Sequence, residues 1–143
     1  MSNKNEVINH LKHLLNMALA DLNIDTQELE LIYKLGIEKG ISQSEIDLLL
    51  KTPDYSLLEQ PKTLKAKIQL LYDLCLVIWA DGKVVKEEKD LLEKIIVQCG
   101  FEKEIAEESG KFLLDKVENG IGFEEILAEI ERDSENHSNT VEV

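Results

Sequence analysis

The chain has 143 residues, 43% of them hydrophobic, and a net charge of −13 from 29 acids against 16 bases. That length supports one compact core, and that charge repels phosphate backbones and anionic lipid, so no nucleic-acid partner and no membrane insertion are expected and a membrane surface is a poor partner. Cations and basic protein faces remain, and the same charge also keeps a small domain soluble.

The first ten residues, MSNKNEVINH, carry no apolar core. The sequence therefore predicts no secretory signal and a cytoplasmic protein. From Asn5 to Asp21, Val7, Ile8, Leu11, Leu14, Leu15 and Ala18 recur at helical spacing and predict a first amphipathic helix. Asp25-Thr26-Gln27-Glu28 has the form of a capping box. In it an acidic side chain takes a free first-turn amide and a Glu three residues on reaches back. Leu29, Ile32, Leu35 and Ile37 carry this second helix to Gly40. Gly36 inside it costs about 1 kcal/mol against Ala and marks a close helix crossing.

Gly40-Ile41 reads as a glycine stop with an apolar residue folding back. Ser42-Gln43-Ser44-Glu45 opens a short third helix that Pro53 closes, and 54–60 is a connector. Pro61 is placed in the first turn of the next helix, where its missing N–H costs nothing. On that fourth helix, Leu71, Leu74, Cys75 and Ile78 form one face, with Leu70, Val77, Leu76 and Trp79 on its flanks and Asp73 at the back. A helix apolar nearly all round is a central one. It stops at Ala80-Asp81-Gly82. Leu91, Leu92, Ile95 and Ile96 mark a fifth helix ending at Gly100, and residues 103–118 a sixth with a weak point at Gly110. Phe123, Ile126, Leu127 and Ile130 mark a last one, and 133–143 is a polar tail expected to fray. No stretch alternates with period two, so the fold class is all-α with about seven helices.

The chain also matches itself at an offset of 60 residues, the separation of Ala20 from Ala80. Leu11, Leu14, Asp21, Glu28, Leu31, Lys34 and Gly40 meet Leu71, Leu74, Asp81, Glu88, Leu91, Lys94 and Gly100. The expected architecture is one domain over 1–132, built of two related helical hairpins (11–45 and 71–105) packed around the buried central helix. The matched positions include acids that a core does not require.

Ala80-Asp81-Gly82-Lys83-Val84 with Glu88 resembles the pattern of the tellurite-resistance TerB-like family; Ala20-Asp21-Leu22-Asn23-Ile24 with Glu28 follows it except that Leu22 replaces the glycine. The resemblance spans residues 5 to 130. It implies a helical fold in two related halves, a non-enzymatic role in stress or tellurite resistance, and binding of divalent cations. Fusion of family members to co-chaperone J domains implies instead an interaction module.

The acids admit two readings. Asp21, Asp25 and Glu28 flank one inter-helix turn and Asp81, Glu87 and Glu88 another, a supply of hard oxygen ligands suited to Ca²⁺ or Mg²⁺. Acids at helix starts also cap free amides and complement the helix dipole without any metal. An EF-hand is excluded, because its glycine position would be Thr26 and its closing Glu would be Ile32.

His10 and His13, with Glu6 four residues before His10, have a spacing that can hold a transition metal, yet the wheel turns His13 away from the apolar face toward water. Cys75 and Cys99 read as ordinary buried thiols. No nucleophile has a visible His partner, and the chain has neither a phosphate loop nor a CxxC, so no enzyme is expected. Two functions from different classes follow: a domain that binds divalent cations through its acidic turns, and a metal-independent module of co-chaperone or scaffold type docking a basic partner.

Overall fold

The computed structural model of the protein describes residues 4–20, 25–51 and 58–141, with side chains as far as Asp133. It is all-helical. Among the described residues there are seven α-helices and no strand: α1 (Lys4–Ala18), α2 (Thr26–Glu38), α3 (Gln43–Lys51), α4 (Leu64–Trp79), α5 (Lys86–Gln98), α6 (Lys103–Glu118) and α7 (Phe123–Val141).

Helix α4 is the hub, packing against α1, α2, α5, α6 and α7. Its apolar side chains Leu70, Leu71, Leu74, Cys75, Val77 and Ile78 are all buried, which is why nearly the whole circumference is aliphatic. The start of α4 differs from expectation. Thr63, not Pro61, sets it: the Thr63 hydroxyl accepts the Ala66 N–H at 3.1 Å, and Pro61 lies in the connector. A hydroxyl at the cap satisfies an orphan amide, which proline at N1 cannot do. At the other end, Gly82 takes a positive φ of 84° and its N–H reaches the Trp79 carbonyl at 2.9 Å. The Trp79 indole N–H crosses to the Leu114 carbonyl of α6 at 2.9 Å.

Helices α2 and α5 begin at Thr26 and Lys86 and end at Glu38 and Gln98, 60 residues apart at both ends; α3 and α6 start at Gln43 and Lys103, again 60 apart. The stops correspond as well. Gly40 and Gly100 adopt φ of 93° and 103°, and the Ile41 and Phe101 amides fold back to the Gly36 and Ile96 carbonyls at 2.9 and 3.3 Å. The Ser42–Glu45 capping box is reciprocal: the Glu45 N–H donates to Ser42 Oγ at 3.2 Å and Glu45 Oε1 accepts the Ser42 N–H at 3.2 Å. Tyr33 on α2 donates its hydroxyl to Asp47 on α3, which together with burial pushes the phenol up to about 12.

Ile37, expected on the apolar face of α2, is instead 54% exposed. It sits one position past the buried Gly36, already on the solvent side of the last turn. Beyond Asp133 the backbone of α7 remains helical to Val141, where a frayed tail was expected. Polar composition does not itself end a helix when no glycine or proline intervenes.

The two mid-helix glycines differ sharply. A Cβ at Gly36 would lie 2.7 Å from Ile46 Cδ1 and 3.1 Å from Leu11 Cδ1, whereas at Gly110 the nearest atoms would lie at 3.6 to 3.7 Å, ordinary contact. Gly36 thus lets α1, α2 and α3 close on one another. Gly36→Val should cost about 1–3 kcal/mol through overpacking, and Gly110→Ala should stabilise by about 0.5–1 kcal/mol through lower unfolded-state entropy. Urea denaturation of both variants checks the opposite signs.

Candidate functional site

Of the six acids proposed as ligands, Asp21 lies outside the described residues. Asp25 is the N-cap of α2 and its carboxylate accepts the Gln27 N–H at 2.8 Å. Glu28, in the first turn of α2, is buried. In the second turn, Asp81 Oδ1 accepts the Lys83 N–H at 3.1 Å and Glu88 Oε1 accepts the Val85 N–H at 3.1 Å. Val85 has no side-chain acceptor to return that bond, so Glu88 supplies one half of a capping box. Glu88 is buried like Glu28 at the matching position, whereas Glu87 is exposed. Asp25, Asp81 and Glu88 therefore spend carboxylate oxygens on amides of their own turns. Among the described residues no group of three or more His, Cys, Asp or Glu side chains is arranged to hold a metal ion.

The polar cluster that the sequence did not reveal lies where α1 faces the start of α4 and the connector before it. His13, expected to face water, is 2% exposed. Its Nε2–H donates to the Glu59 carbonyl at 3.0 Å. Asn9, one turn earlier, grips the same residue at both of its backbone polar atoms: its amide N–H donates to the Glu59 carbonyl at 2.8 Å and its Oδ1 accepts the Glu59 N–H at 3.2 Å. His10 donates to Asp73 Oδ2 at 2.7 Å. Asp73, expected at the back of α4, is 2% exposed, and its Oδ1 accepts the Gln69 amide at 3.0 Å. A cleft of about 840 Å³ opens beside this cluster, with His10, His13, Glu59 and Lys65 on its walls.

The wheel failed here because each buried polar group is matched from a distant part of the chain, which helical periodicity cannot register. The available signal was the repeat. His13 and Asp73 occupy the same position in the two halves, 60 residues apart, both within otherwise apolar surroundings.

Burial holds the His13 imidazole below its ordinary value; the Glu59 carbonyl acts against this and the neighbouring His10 adds to it. Burial also raises the Cys75 and Cys99 thiols, leaving both as thiols rather than nucleophilic thiolates. No helix among the described residues is long and apolar enough to cross a membrane. No protein-family model, curated protein or solved structure matches the chain.

Proposed function

We propose that the chain is a non-enzymatic helical interaction module, of the kind the TerB-like resemblance suggests, whose acidic surface docks a partner with a basic face. The observation that carries this reading is the use of Asp25, Asp81 and Glu88 as caps for their own turns. A carboxylate engaged by a backbone amide has less capacity left for a cation. The exposed charge is then free for a protein partner, because a net −13 favours basic surfaces over phosphate or lipid. Two free, buried cysteines support a reducing, cytoplasmic setting.

The competing function is cation binding by the same turns, and one experiment separates the two. Thermal melts of the wild type and of Asp81→Asn/Glu88→Gln are compared in Ca²⁺, Mg²⁺, Mn²⁺ and Zn²⁺ at matched ionic strength. The module reading expects no ion-specific shift, with Glu88→Gln costing well under about 1 kcal/mol because Gln still serves as a capping acceptor. An ion bound only to the folded state would raise Tm by mass action. Such a rise, abolished by the double substitution, would overturn the module reading in favour of cation binding.

A further inference from the structure

The connector from Leu58 to Thr63 is strapped across the molecule. On one side Asn9 and His13 of α1 hold the Glu59 backbone N–H and carbonyl. On the other, the Gln60 amide donates to Gln98 of α5 at 3.1 Å, and Gln60 Oε1 accepts from the Cys99 thiol at 3.8 Å. On the α5 side the Cys99 thiol is pushed up by burial and stays protonated, so only the α1 side carries a group that changes charge near neutral pH. Because a carbonyl can only accept, His13 must carry its proton on Nε2, which leaves Nδ1 as a lone pair. That Nδ1 is buried and has no hydrogen-bond partner among the described residues.

We propose that His13 is a proton-operated catch: neutral, it seats residues 58–62 against α1; protonated, it leaves its site and frees that strap, opening the cleft beside it. A second proton would place a full charge in a site from which water is excluded and would create a buried Nδ1–H donor with no acceptor. The bond to Glu59 offsets part of that cost, but burial outweighs it. The ring is best hydrated once it swings out, and the Glu59 carbonyl then loses its bond from His13.

The charged groups along this cleft are Glu6 and His10 on α1, Lys39 beyond α2, Glu59 and Lys62 in the connector, and Lys65 on α4. None is bonded to His13 Nδ1. Asp73, the buried acid of this network, is taken by His10 and Gln69. The sign follows. A folded-state value below the ordinary imidazole value means the catch is fully held above about pH 6.5 and weakens as pH falls from there toward the lower folded value.

The test is hydrogen exchange at the Glu59 amide of the full chain, corrected for intrinsic rates and referenced to the Leu74 amide as a marker of global opening. Between about pH 7.5 and about pH 5.5, Glu59 protection should fall relative to Leu74 by up to about tenfold in all, the limit set by one pH unit below the ordinary imidazole value. The His13 ring protons should titrate below about 6.5 by NMR. His13→Gln keeps an N–H donor that does not titrate, and its Glu59 protection should be independent of pH. His10→Gln keeps His13 and should retain the acid release, which decides the matter even where His13→Gln fails to fold. Equal protection at both pH values in the wild type, or acid release persisting in a folded His13→Gln, would overturn the proposal.

Discussion

Leu74→Ala should lower the unfolding free energy by about 3–5 kcal/mol, a large fraction of the marginal stability of a domain of this size. Leu74 is fully buried on the helix that packs against α1, α2, α5, α6 and α7. Truncation loses the transfer free energy of the side chain and leaves a cavity that so many neighbours cannot collapse together to fill. Ile37→Ala supplies the contrast. That side chain is 54% exposed, and its removal should change stability by less than about 0.5 kcal/mol. Urea denaturation followed by circular dichroism compares the two, and similar costs would refute the central role assigned to α4.

His10→Ala should cost about 3 kcal/mol, far more than a partly exposed histidine ordinarily does. The reason lies in its partner. Asp73 is 2% exposed, and without His10 its carboxylate would sit in the core with only the Gln69 amide to answer it. Asp73→Asn keeps an oxygen for one of these donors and leaves no buried charge, so it should cost only about 1 kcal/mol. Replacing both residues, as His10→Leu with Asp73→Leu, removes charge and partner together and should recover most of the loss. Denaturation midpoints compare the four proteins. A double variant as unstable as His10→Ala would show that the site needs its polarity for shape and not for charge balance.

What the sequence made legible were features whose cause is local. The glycine stops at Gly40 and Gly100, the Ser42–Glu45 box and the apolar circumference of α4 each depend on residues within one or two turns, and their chemistry can be recognised in place. Gly36 was legible as a close crossing for the same reason, although the identities of Leu11 and Ile46 across from it were not. His13 and Asp73 were misplaced because their partners are remote: Glu59 lies 46 residues from His13, and His10 lies 63 residues from Asp73. A wheel assigns polar residues to solvent unless something external claims them. For the candidate site, Asp25, Glu28, Asp81, Glu87 and Glu88 lie at the turns and helix starts where the sequence put them, but whether an oxygen faces an ion or a neighbouring amide is a matter of ångströms that spacing does not encode.

The single tryptophan of the chain is positioned as a built-in optical gauge. Its indole N–H is tied to the Leu114 carbonyl of α6 while its backbone belongs to the last turn of α4, so its emission senses whether these two helices stay docked. Backbone ellipticity, by contrast, averages over every helix, including α1 to α3. Fluorescence and ellipticity curves that coincide during denaturation would mean that the chain melts as one cooperative unit. An emission change at lower urea than the loss of ellipticity would mean that α6 peels away first, making α6 the weaker foldon. No label or added mutation is required to distinguish them.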